Sequence, residues 1–198
     1  MGLRRISGRR LHLMSAQTAV QDSRATRTFV LVAAVLVLIG DAGYVLIVAT
    51  QGTYPPDAFT VPFLAGYWLV MAAMLGLSVL DRPRLATLRP ALRAGAAAGL
   101  LVTGVLGLFS IGLPMVIAGA LASGAAVRTL AGRDRRWAVS IEVLAAVIAV
   151  MVVVAGLELT ARLILCPSHG ESGGAGAGLV SGDYHWRCVE GHLTFRAP

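Results

Sequence analysis

Residues Ala94 to Val127 read AGAAAGLLVTGVLGLFSIGLPMVIAGALASGAAV, thirty-four residues without a charge, closed by Arg93 on one side and Arg128 on the other. As one straight helix at about 1.5 Å per residue the run would extend about 51 Å, far beyond a bilayer hydrocarbon core of about 30 Å. Its middle carries Phe109-Ser110-Ile111-Gly112-Leu113-Pro114. A glycine there can adopt the left-handed conformation that ends a helix, and a proline suits the first turn of the next. The stretch is therefore expected to fold as a hairpin of two short helices, about 94–110 and 113–127, with the arginines at its two ends on the same side of a membrane.

The flanking charges extend this reading to the rest of the chain. Residues 1–27 hold six arginines and one acid, Asp22, with no long apolar run, as suits a cytoplasmic arm. Met14 offers an alternative start within it. A first span is expected over 28–50 and a second over 61–80. The loop between them contains Tyr54, Pro55, Pro56 and Asp57 but no arginine, so the positive-inside rule assigns it to the outer side. Asp81 to Arg93 returns four arginines, with Pro83 and Pro90 read as helix breakers of a cytoplasmic loop. Arg128, Arg133, Arg135 and Arg136 follow the uncharged run. Only an out-and-back path through 94–127 keeps that cluster inside. Each arm has only about sixteen apolar residues, against the usual twenty or so, which leaves a full crossing and a re-entrant hairpin both open. A fifth span, 137–165, opens on Trp137 as an interfacial anchor and delivers the tail, 166–198, to the outside. The expected fold class is an all-α polytopic membrane protein with five transmembrane helices and a small extracytoplasmic β-hairpin.

Composition agrees. Of 198 residues 57% are hydrophobic and 14% charged, where soluble domains carry about 25% charged. The net charge of +7 does not point to nucleic acid, because all seventeen basic residues are arginines, most of them clustered beside apolar runs. The absence of lysine, with heavy use of Ala, Gly, Val and Arg, resembles high-GC bacterial coding sequence. Arg9-Arg10 is not expected to act as a twin-arginine export signal, since the apolar segment begins nearly twenty residues later, is too long for a signal core and lacks a small-x-small cleavage site.

Small residues recur every fourth position at Gly95, Gly99, Thr103 and Gly107, with Ala118, Ala122 and Ala126 on the second arm. Such ridges let helix backbones approach closely in lipid; they favour close pairing of the two arms, with the packing partner either within the chain or in another copy of it.

In the tail, a glycine-rich linker from Gly170 to Gly182 precedes Tyr184 to Phe195, which reads as two strands around a Glu190-Gly191 turn. Two strands alone are marginal. Cys166 and Cys188, the only cysteines, are expected to staple them, closing a loop worth about 3 kcal/mol in an oxidising compartment. The alternative is zinc, held by Cys166, His169, His185, Cys188 and His192, and it would apply if the tail were cytoplasmic.

Asp41 is the one acid deep in an apolar run. A carboxylate there costs about 2.5 to 3.5 kcal/mol on insertion scales, so it must face protein or water. It is expected to meet Ser110 and the backbone freed at the Gly112-Pro114 turn, or else to serve as a proton or cation site. Glu142 reads as an acid favoured near a helix start, and Glu158 with Arg162 as an i,i+4 ion pair. No P-loop, GxSxG or HExxH motif is present, so neither an enzyme nor a cofactor is expected. The expected role is a non-enzymatic membrane scaffold or partner-binding module in the cell membrane, associating with lipid and with a membrane-protein partner or a second copy. The alternative is a small proton- or ion-coupled transporter working through Asp41.

Overall fold

The computed structural model describes residues 24–51, 58–82, 85–108, 112–130 and 135–196. The arginine-rich arm to residue 23, the 52–57 loop and Ser110 lie outside the described residues. The described residues form five helices: α1 (Arg24–Gln51), α2 (Thr60–Val79), α3 (Arg89–Leu106), α4 (Gly112–Leu130) and α5 (Arg135–Arg162). A three-stranded antiparallel sheet follows, β1 (Glu171–Gly178), β2 (Gly182–Val189) and β3 (His192–Arg196), in the order β1-β2-β3.

Among the described residues four helices, α1, α2, α4 and α5, are long and apolar enough to cross a membrane. Their surfaces say the same. On α1 the buried side chains Val30, Ala33, Ala34, Val37 and Asp41 form one stripe, while Leu31, Val35, Leu38, Ile39 and Leu46 are exposed on the others. A helix apolar all round requires an apolar surrounding on its outer face as well, and α5 repeats the pattern with exposed Leu144, Ile148 and Met151.

The fifth helix, α3, departs from expectation. It starts at Arg89 rather than near residue 94 and ends at Leu106, so its first turns carry Arg89 and Arg93. Pro90 does not break a loop but sits in the first helical turn, where a missing N–H goes unused anyway. Packed against α2, α4 and α5, α3 buries eleven residues, both arginines included. Enclosed by its neighbours, it has less need of an apolar exterior. α5 also stops earlier than expected, at Arg162 rather than residue 165.

The α3–α4 hairpin forms, but by another device than the sequence indicated. Among the described residues the glycines with positive φ are Gly170, Gly182 and Gly191, so Gly112 is not left-handed. Glycine is required there by close approach: a Cβ at Gly112 would overlap the Gly104 carbonyl oxygen. The Gly112 N–H donates to Gly107 O at 2.8 Å and closes the turn. Farther along the hairpin a Cβ at Gly104 would lie 2.7 Å from Val116 N, and the two backbones meet there.

The ridge Gly95, Gly99, Thr103, Gly107 does not chiefly serve this hairpin. Gly95 lies against Ala145 of α5 and Met74 of α2, Gly99 against Tyr67 and Met71 of α2, and Gly107 near Gly112 of α4. Of the second ridge, Ala118 and Ala122 are fully buried in the bundle core.

The glycine-rich linker is itself a strand. Trp186 and Tyr184 of β2 lay their rings over Gly174 and Gly176 of β1, where any side chain would displace them. A composition that reads as flexible is thus pinned by aromatic cover from the neighbouring strand. Between β2 and β3, Glu190 (φ 45) and Gly191 (φ 80) make the two-residue turn, both with positive φ as a type I′ hairpin demands.

Candidate functional site

Three places collect polar chemistry among the described residues. The first is inside the bundle. Asp41 is buried at 6% exposure on the inward stripe of α1. Its neighbour Gly40 lies against Pro114 and Met115 in the first turn of α4, which sets Asp41 near the level of the hairpin turn. Asp41 Oδ1 has no hydrogen-bond partner among the described residues. One turn farther along α1, Tyr44 meets Trp68 of α2 edge-on at 5.2 Å. Trp68 Nε1 donates to Thr103 Oγ1 at 3.2 Å, and the Thr103 hydroxyl donates back to Gly99 O at 2.9 Å. Thr103, a small-ridge position in the sequence, is therefore also the acceptor that satisfies a buried indole.

The second place is the C-terminal end of α5. Cys166 and Cys188 are joined in a disulfide with Cα atoms 5.5 Å apart. The bond takes both thiolates on which a zinc site would depend, and among the described residues no three His, Cys, Asp or Glu side chains converge as a metal cluster. Ile164, Trp186 and Cys188 form a small core with Tyr184, Cys166 and Leu193 packed on it. The Tyr184 hydroxyl donates to Ala161 O at 2.5 Å, taking up a carbonyl of the last turn of α5. Glu158 accepts from Val180 N at 3.2 Å and from the Ser181 hydroxyl, both in the β1–β2 connection, and pairs with Arg162 at 3.0 Å. The ion pair anticipated from spacing is present. The larger role of Glu158, holding the sheet to the helix, depends on residues twenty-two positions away and had no local signal. Burial, with the nearby Glu158 charge, raises the Tyr184 pKa above its ordinary value, so the hydroxyl stays a donor.

Phe195 stacks edge-on with Tyr184 at 5.8 Å and remains 49% exposed. On the sheet, His185, Arg187, Thr194, Phe195 and Arg196 border an open groove of about 970 Å³. Arg187 crosses it to Glu171 at 2.8 Å, and that carboxylate holds the guanidinium charged.

At the opposite end of the bundle a cluster joins three elements. Asp81, just after α2, pairs with Arg27 of α1 and with Arg89 of α3. Arg89 also donates to Leu80 O at 2.6 Å, and Arg93 donates to Ser78 Oγ at 3.2 Å and to Ser78 O at 3.3 Å. The C-terminal carbonyls of α2, which have no partner within their own helix, are met by arginines that suit the negative end of its dipole.

No protein-family model matches the chain, and neither a curated protein nor a solved structure matches it.

Proposed function

We propose that this chain is an integral membrane scaffold that crosses the bilayer five times and presents a fixed extracytoplasmic sheet to a partner protein. Its N-terminal arm is cytoplasmic and α3–α4 form an inner hairpin enclosed by the other spans. The observation that carries the reading is the mounting of the sheet: a disulfide, the Tyr184–Ala161 hydrogen bond and the Glu158 acceptor all join it to α5. A small sheet that served only as a solvated tail would have no need of three separate attachments. Partner contact falls to the open groove and its aromatic rim at Phe195, the kind of residue enriched where proteins meet.

The deciding experiment is thiol labelling in intact cells with a membrane-impermeant reagent. Cys166 and Cys188 label only after reduction, and a cysteine introduced at Ala131 labels only after lysis. Labelling at 131 in intact cells, with a protected tail, would overturn both the topology and the display role.

A second reading, a small proton- or cation-coupled carrier, is favoured by the unpartnered Oδ1 of Asp41, since an ionisable group at such depth is a functional position by default. Asp41→Asn separates the two: a scaffold retains its assembly and partner binding, whereas a carrier loses ion-dependent transport.

A further inference from the structure

The turn between β1 and β2 carries side chains that its geometry does not call for. Gly178 and Gly182 are its last paired residues, and Leu179, Val180 and Ser181 form the loop between them. Such loops are ordinarily built from Gly, Asn, Asp, Pro and Ser. Gly182, at φ 76°, supplies the left-handed residue, so the turn itself has no need of Leu179 or Val180. Yet Leu179 is 50% exposed and Val180 77%, the highest value for a large hydrophobic side chain among the described residues. The turn at the other end of β2, Glu190-Gly191, is polar.

The attachments of the sheet fix the level of this tip. Val180 N–H meets Glu158, the Tyr184 hydroxyl meets Ala161 O, and Cys188 is bonded to Cys166. Contacts at 180, 184 and 188 follow 158, 161 and 166 in the same order, so β2 runs outward beside the end of α5 with the Leu179-Val180 tip nearest the bundle. The apolar span of α5 ends at Arg162, which puts Glu158 about 6 Å inside it at about 1.5 Å per residue. Its sequence neighbour Leu159 is 62% exposed on the helix surface. We infer that Leu179 and Val180 insert into the boundary between headgroups and acyl chains on the face of the bilayer from which α5 emerges. The inference rests on the reading that α5 crosses a bilayer, and it gives the sheet a lipid contact besides its partner groove. Interfacial apolar groups sit about 5–10 Å into that boundary, the depth at which Glu158 holds the tip. No charged residue occurs from 172 to 182. The Val180 N–H, which would find no water at that depth, is taken by Glu158 Oε2 at 3.2 Å. Arg162 pairs with Glu158, and its long side chain can keep its charge among the headgroups. Asp183, the first charge along β2, is exposed and marks where water begins.

The test uses the full disulfide-bonded chain in phosphatidylcholine vesicles, spin-labelled in turn through Leu179→Cys, Val180→Cys, Leu159→Cys and His192→Cys. All four side chains are exposed, and His192 lies at the far end of the sheet, opposite Val189. Collision of the label with oxygen, which concentrates in lipid, is compared with its collision with a nickel chelate, which stays in water. The ratio at 179 and 180 should approach that at 159 and exceed that at 192 several-fold. Ratios at 179 and 180 equal to that at 192, with 159 in lipid, would overturn the inference and leave the spanning reading of α5 intact. A water-like ratio at 159 would remove the spanning reading, and the inference with it. Little collision with either reagent at 179 and 180 would overturn the inference in favour of cover by protein, a second copy included. A companion measurement needs no new cysteine: in the parent chain, lipid carrying a doxyl group near its glycerol should broaden the methyl signals of Leu179 and Val180 several-fold more than those of Val189. Equal broadening at the two ends of β2 would overturn the inference as well.

Discussion

Arg93 shows how far a residue's role departs from its local appearance. It is fully buried, one turn into α3, with its guanidinium on the Ser78 hydroxyl and carbonyl. Arg93→Met keeps the length of the side chain but leaves the end of α2 with an unmet carbonyl, at a cost of about 1–3 kcal/mol. The unfolding midpoint in detergent should fall by several degrees, and an unchanged midpoint would show that the capping contributes nothing. Asp81 behaves differently because it is exposed. Arg27, by hydrogen bond first and charge second, and then Arg89 hold its carboxyl below the usual carboxylate range. A depressed folded-state pKa contributes stability above the unfolded value of about 3.9, and that contribution disappears as pH falls through the folded value. Asp81→Asn should therefore lower the midpoint at pH 6, and the difference from the parent should shrink as pH falls below the unfolded value of about 3.9. The sequence placed Arg89 and Arg93 in a loop beside Pro90, whereas both lie in the first turns of α3. Their burial was not visible in the sequence, because it depends on where α2 ends.

Among the elements, the α3–α4 hairpin owes its closeness to particular glycines rather than to small residues in general. A side chain at Gly104 would press on the backbone nitrogen of Val116, which cannot move aside without separating the helices, whereas Gly43 on α1 has nothing within 4 Å. Gly104→Ala should destabilise by about 1–3 kcal/mol through overpacking. Gly43→Ala should be neutral or stabilising by about 0.5–1 kcal/mol, as for a glycine relieved within a helix. Thermal unfolding of the two variants side by side checks this, and equal effects would mean that composition alone governs the packing. The ridge at Gly95, Gly99, Thr103 and Gly107 was legible as a packing surface from its spacing. That it faces mainly α2 and α5 was not, since a stripe of small residues records a close approach without recording its partner. The β1 strand was missed for a related reason: its glycines are ordered by Trp186 and Tyr184, which belong to another strand.

For the whole molecule, the disulfide and its neighbouring hydrogen bonds connect a helical bundle to a sheet that shares little core with it. Cys166→Ser with Cys188→Ser removes a constraint worth about 3 kcal/mol, yet the cost should stay local. Hydrogen exchange should accelerate across β1 and β2 while α1 to α5 keep their protection. Loss of protection throughout would show instead that the sheet and bundle unfold as one. By itself the sequence determined the apolar helices, the turn in the middle of 94–127, the Glu190-Gly191 turn and the pairing available to the only two cysteines, because each is written in local periodicity, in turn chemistry or in a residue count. The tertiary structure decided which helix is innermost, that Arg93 and Thr103 satisfy groups on α2, that Glu158 holds the sheet, and that the Tyr67 hydroxyl of α2 meets Ala149 O of α5. Those outcomes depend on which surfaces meet after distant segments pack, and a side chain's partners across the bundle leave no mark on its own neighbours in the chain.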